Sequence, residues 1–244
     1  MGTRADLTTD PVLQAQLLTA RRGTALWLRA LNELDDDEFD APTILPDWDR
    51  RHLIAHVGYN ARAISRLVHW ANTGEQTPMY ASPHARADEI AHGATLSTQA
   101  LRTLNDHAAS TLDNEWRDTP DPFWRNTVRT AQGRSVALRE TVWMRTREVW
   151  LHAIDLNTGI RFADLPAEVL HRLLTDIVET WTTRDSDPGL RIKVDGTDLE
   201  LGAGADTSST LRVGGTLPAV VRWAAGRGGQ HLSTGQHVQA PRWL

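Results

Sequence analysis

The segment TVWMRTREVWLHAID, Thr141 to Asp155, is the stretch on which the reading of the whole chain turns. As a helix it sets Glu148 and His152 four residues apart, about 40° around the axis, so both side chains leave on one side. A carboxylate and an imidazole facing the same way can hold one divalent metal. Asp155 follows a turn later, about 20° from Glu148, close enough to ligate or to orient a ligand by hydrogen bonding. The same i,i+4 pair is also common on solvated helix faces. A catalytic zinc wants three protein ligands and an open position, so a third His or carboxylate must come from another element.

Upstream lie the helices that could supply it. Leu13, Leu17, Leu18, Trp27, Leu28 and Leu31 recur with a period near 3.6, predicting one long helix from Pro11 into the acidic stretch Glu33–Asp37. Asp40 to Asp47, with Pro42 and Pro46, reads as a loop, and Asp49 can cap a helix beginning at Arg50 and stopping near Gly74. Leu53, Val57, Ile64 and Val68 form the buried stripe of that helix, with His56 on its flank. His52, four residues earlier, makes a rival H-x-x-x-H pair, and either histidine can equally be structural. A third helix is expected from Ala85 to Ala109. Arg86 at its start opposes the helix dipole, which marks it either as a candidate for holding a substrate carboxylate or as a solvated cation. Leu112 to Gly133 reads as a long connection with a short strand pair, and Ser135 precedes the helix of Glu148 and His152, ending near Asn157 and Gly159. Four long helices imply a bundle, which builds metal sites from inward-facing side chains.

After Gly159 the pattern changes. Pro166 to Thr182 is amphipathic, DSDPG punctuates, and Leu190–Val194 with Asp198–Leu201 alternate around Asp195-Gly196 like a hairpin. Ser209 to Val213 reads as a further strand and Leu217 to Ala225 as a short helix. The fold class expected is α+β: a four-helix domain over residues 1–160 and a small α/β domain over 161–244. In the second domain AAGRGG sets Arg227 between glycines past a helix end, either as a carboxylate-binding guanidinium or as a solvated turn residue.

The composition narrows the function. The 244 residues carry a formal charge of −5 and no basic run, which argues against nucleic-acid binding. No apolar run approaches the roughly 20 residues of a membrane span, and no secretory pattern is visible, so a cytoplasmic protein is expected. Cysteine is absent, which excludes disulfides, thiolate metal sites and a nucleophilic thiol of the chain's own. No G-x-S-x-G, H-E-x-x-H, G-x-G-x-x-G or phosphate-loop string occurs.

Taken together, HLIAHVGYNA, HWANTGEQTPMY, ETVWMRTREVWLHAIDL, AAGRG and PRWL resemble the mycothiol-dependent maleylpyruvate isomerases of actinobacteria in order and spacing. The resemblance spans essentially the whole chain, least at the first ten residues and at 183–208. It implies a DinB-like four-helix bundle followed by a small α/β domain. It also implies His56, Glu148 and His152 as zinc ligands, which selects His56 over His52. Arg227 would be the arginine of the second domain on which activity depends, binding substrate or thiol, with Arg86 as a further catalytic candidate and Asp155 as partner of His152. The implied reaction, in gentisate-type aromatic degradation, is cis–trans isomerisation of maleylpyruvate to fumarylpyruvate with mycothiol as the borrowed thiol. A monomer whose partners are small molecules is expected. A mycothiol S-transferase or another thiol-dependent enzyme on the same scaffold, or a non-catalytic binding module, stays as the alternative.

Overall fold

The computed structural model describes residues 5–82, 84–184, 189–202 and 211–243. The chain divides into two compact units, one ending at Thr158 and one beginning at Gly159. The fold is α+β, a helical N-terminal part and a small C-terminal sheet region.

The first unit is built on α1 (Pro11–Asn32), α2 (Arg50–Thr73), α4 (Thr98–Arg117) and α5 (Glu140–Asp155), with the shorter α3 (Ala85–Ala94) against α2. Asp10 caps α1 through the amides of Val12 and Leu13, and Pro11 occupies the first turn, where a missing N–H costs nothing. Asp49 caps α2 through the amide of His52, as the sequence suggests, and Gly74 closes it. Around the bundle α1 lies beside α5 and α4, and α2 beside α4 and α5. Asn105 ties three of them: its amide donates to the Ile54 and Leu101 carbonyls and accepts the indole N–H of Trp27 at 2.9 Å. Gly23 explains the close approach of α1 to α5. A Cβ there would stand 2.6 Å from the Trp150 indole nitrogen and 2.7 Å from Val149.

The expected single helix over Ala85–Ala109 is two. The backbone is extended at Ser97, whose hydroxyl accepts the Ala100 amide and so starts α4 afresh. The second of these helices also runs further than expected, to Arg117, because Leu112 and Trp116 continue the buried stripe of Leu101, Leu104 and Ala108. The connection after it holds the expected strand pair, β1 (Thr127–Arg129) antiparallel to β2 (Ser135–Ala137).

In the second unit α6 (Ala167–Thr183) packs on α7 (Leu217–Ala224), with Trp181 and Trp223 edge to face at 5.8 Å. A three-stranded sheet runs β4 (Glu200–Leu201), β3 (Leu190–Val194), β5 (Leu211–Gly215). The outer pairings are antiparallel and parallel respectively, with Ile192 opposite Leu201 and Val213. Of the expected strand Ser209–Val213, the first two residues lie outside the described ones, as do 185–188 of the DSDPG turn. Among the described residues no helix is long and apolar enough to cross a membrane.

Candidate metal centre

α2 and α5 bring together the three side chains that the sequence singles out. One ligand atom each from His56, Glu148 and His152 lie within 4.8 Å of one another. His56 Nε2 is 2.8 Å and His152 Nε2 3.2 Å from the same oxygen, Oε2 of Glu148. The imidazoles meet nearly edge to face, centroids 5.0 Å apart. All three side chains are largely buried, at 6%, 19% and 13% exposure for His56, Glu148 and His152. Asp155, fully buried, holds the far nitrogen of His152 through Oδ2 at 2.9 Å, leaving Nε2 turned to the cluster. His52 does not join: its Nδ1 rests on Asp49 at 2.7 Å, within the helix cap.

What aligns the two helices is a residue that sequence reasoning passed over. Arg50, in the first turn of α2 and 6% exposed, sends Nε to the Leu156 carbonyl (2.8 Å) and Nη2 to the Asn157 carbonyl (3.0 Å). Its Nη1 reaches the Glu38 carbonyl at 3.1 Å. A guanidinium at a helix C-terminus satisfies carbonyls that have no intrahelical partner and complements the dipole. The start of α2 is thereby clamped to the end of α5, and the Ile44 amide adds a bond to the Asp155 carbonyl. Two turns past the clamp, His56 faces Glu148. Trp48 covers it edge-on at 5.4 Å.

The electrostatics follow from this crowding. Burial pushes the pKa of His56 down, against the pull of Glu148, so it is neutral. Burial acts on Glu148 in the opposite sense, but the two imidazoles outweigh it and hold the carboxyl well below its usual range. For His152 burial is overcome by Asp155 and Glu148, and the pKa rises to about 9. Neutral His56 then donates Nε2–H to Glu148 and presents Nδ1 as acceptor to Arg86 Nη2 at 3.4 Å. Protonated His152 donates to both carboxylates. Two N–H protons point at one carboxylate oxygen, where a cation could take their place. Two imidazole nitrogens and a carboxylate are a donor set that suits zinc and leaves a fourth position for a ligand.

Arg86 therefore reaches the cluster, from the first turn of α3. Its charge also acts on Tyr80, whose phenol burial pushes up in pKa. Tyr80 belongs to the PMY string that the sequence reading matched without giving it a role. Arg227 belongs to the second unit, half-buried between Gly226 (φ 77) and Gly228 (φ 93), with a guanidinium bond to the Ala225 carbonyl.

A family model described as the mycothiol maleylpyruvate isomerase N-terminal domain matches residues 20–157. A search among curated protein sequences found no match. Among solved structures, a crystal structure of the mycothiol-dependent maleylpyruvate isomerase, and a second carrying a histidine-to-alanine substitution, are each 45% identical to this chain. Each superposes with a TM-score of 0.90 over 95% of this chain and 97% of its own. With more than half of its length matched by the family and nearly all of it by these structures, the chain belongs to the mycothiol-dependent maleylpyruvate isomerase family and is an isomerase.

Proposed function

We propose that this chain isomerises maleylpyruvate to fumarylpyruvate, with zinc held by His56, Glu148 and His152 and with mycothiol as the thiol. The observation that carries the reading is the convergence of three ligand atoms within 4.8 Å in a chain that has no cysteine. Rotation about a conjugated cis double bond is blocked while the bond is double. Reversible addition of a thiolate removes the block: a C–S bond forms, the π electron pair moves onto the carbonyl oxygen as an enolate, and the single bond rotates. Collapse of the enolate restores the double bond in the trans form and expels the thiolate. With no cysteine in the sequence, the nucleophile must be brought in from solution. When bound, zinc would favour the thiolate form of that cosubstrate near neutral pH.

The chain's own groups fill the remaining roles. Asp155 holds the proton on Nδ1 of His152 and so keeps Nε2 aimed at the cluster. Arg86, with Nη2 3.4 Å from His56 Nδ1, would hold a carboxylate of the substrate or face the enolate oxygen as charge develops there. Arg227 is proposed as a second carboxylate-binding arginine. Trp48, edge-on to His56, would lend apolar cover that keeps water from the reacting carbons.

The decisive assay follows the absorbance of maleylpyruvate with purified, zinc-loaded protein, with and without mycothiol. Turnover only with mycothiol is expected. Zinc bound but no turnover under either condition would overturn the isomerase reading in favour of an S-transferase, tested next with other electrophiles.

A further inference from the structure

The helical unit also buries a cation that makes no ion pair at hydrogen-bond distance among the described residues. Arg145 lies on α5 one turn before Glu148 and is 1% exposed. Both of its hydrogen bonds leave from Nη1, to the Val57 carbonyl at 2.7 Å and to Asn60 Oδ1 at 3.0 Å. An arginine carries five N–H donors, so those on Nε and Nη2 find no acceptor among the described residues. Burial pushes its pKa down to about 10, against Glu148, which leaves the guanidinium charged at neutral pH.

The same arginine lines a groove of about 320 Å³ between α1 and α4. Ala25 and Leu28 from one helix, and Ala109 and Leu112 from the other, make its walls apolar. Trp116 lines it too, and the buried indole N–H of Trp116 has no acceptor among the described residues. The other charges on the wall close on themselves: Asp113 accepts from Arg21 at 2.6 Å and from Arg117 at 2.5 Å, and Arg21 also holds Asp6. What the groove leaves without a hydrogen-bond partner among the described residues is the Nε and Nη2 donors of one buried cation and the indole N–H of Trp116.

We propose that the α1–α4 groove binds a small organic carboxylate, its two oxygens taking the remaining donors of Arg145 and its short apolar body lying against Leu28, Ala109 and Leu112. The fork of a guanidinium matches a carboxylate. A cation would be repelled, and a neutral apolar molecule would leave the donors unpaired. The volume lies at the small end of ligand sites, enough for a molecule the size of benzoate. This site is separate from the His–Glu–His cluster and does not depend on the reaction assigned to it.

The test is calorimetric titration of the full-length, metal-free protein with benzoate, and with benzyl alcohol as an uncharged molecule of similar size. Benzoate is expected to bind one per chain, about tenfold or more tightly than benzyl alcohol. It is also expected to move the indole N–H resonance of Trp116, assigned with a Trp116→Phe variant. Arg145→Met should erase the preference for the carboxylate. Ala109→Trp fills the groove from its α4 wall and should abolish binding, a result independent of how the Arg145 variant folds. Absence of benzoate binding at millimolar concentration, equal binding to wild type and Ala109→Trp, or an unmoved Trp116 resonance would each overturn the proposal and leave a groove filled by water.

Discussion

The two seams of the helical unit bury charge in opposite ways. Where α2 meets α5, Glu148 lies between two imidazoles and Asp155 takes the far nitrogen of one of them. Where α1 meets α4, the groove ends on Arg145, whose bonds among the described residues go to a carbonyl and an amide and to no carboxylate. Taking a charge out of water costs several kcal/mol in either place. The first seam recovers that cost from opposite charges at hydrogen-bond distance, which also fixes every ring nitrogen in direction. The second leaves donors over. Matched burial of this kind organises a site before its ligand arrives, whereas unmatched burial is a demand for one.

The strongest way to break the matched seam is to remove the one cluster member that comes from α2. His56→Ala should lower bound zinc from about one per chain to background and take turnover with it. Full activity in a metal-free His56→Ala protein would sink the metal reading. The next largest effect is expected from Arg50→Met. It removes three charge-assisted bonds to carbonyls, two of them at the C-terminus of α5, and should cost about 3 kcal/mol in urea unfolding. Arg145→Met deletes a buried cation that has no carboxylate at hydrogen-bond distance among the described residues, and should cost clearly less. Equal losses in the two variants would erase the distinction between the seams.

How far the sequence reveals this arrangement depends on the range of each interaction. Caps are local, so Asp49 is legible, and so is the juxtaposition of Glu148 and His152 on one helix. Asp155 also lies within that turn. The choice between His52 and His56 is not local. Both sit on one helix, and only the crossing of α5 shows that His52 belongs to the Asp49 cap while His56 meets Glu148. Resemblance to the family supplied that crossing where spacing could not. The break at Ser97 escapes notice because Ile90, Leu96, Leu101 and Leu104 keep a rough helical period across it, although Ser is itself a preferred N-cap residue. Arg50 and Arg145 were passed over for a different reason. An arginine in a helix reads as surface, and nothing in its neighbours along the chain tells that the carbonyls it serves belong to another helix.

Asp155→Asn probes the cluster more gently. The amide keeps the shape but no longer fixes the proton on His152 Nδ1 with a charge, and zinc affinity should weaken about 10- to 100-fold. Calorimetric titration of zinc in the presence of a competing chelator measures it. An unchanged affinity would mean that the buried carboxylate serves the fold and not the ligand. Because the side chain is retained in size, the urea midpoint of the zinc-loaded variant separates the two roles.

The smallest effect removes one proton and no atoms, and its sign differs on either side of neutrality. His152 has its folded pKa raised from 6.5 to about 9, so its contribution to the stability of the metal-free protein is complete below about 6.5 and is lost as pH rises through about 9. His56 has its folded pKa lowered. Below about 6.5 the unfolded chain takes up a proton there that the folded one resists, so stability falls with falling pH as well. The carboxyl of Glu148, held low, adds to that acid-side loss below its ordinary value of 4.5. The metal-free protein should therefore show its highest urea midpoint near pH 6.5, and a decline towards pH 9. With saturating zinc the alkaline limb should reverse, because a metal on Nε2 competes with the proton that His152 otherwise keeps, and that competition eases as pH rises. An alkaline limb that is flat without metal would mean that His152 is not held protonated by Asp155 and Glu148, and the matched seam would lose the proton that a metal is expected to displace.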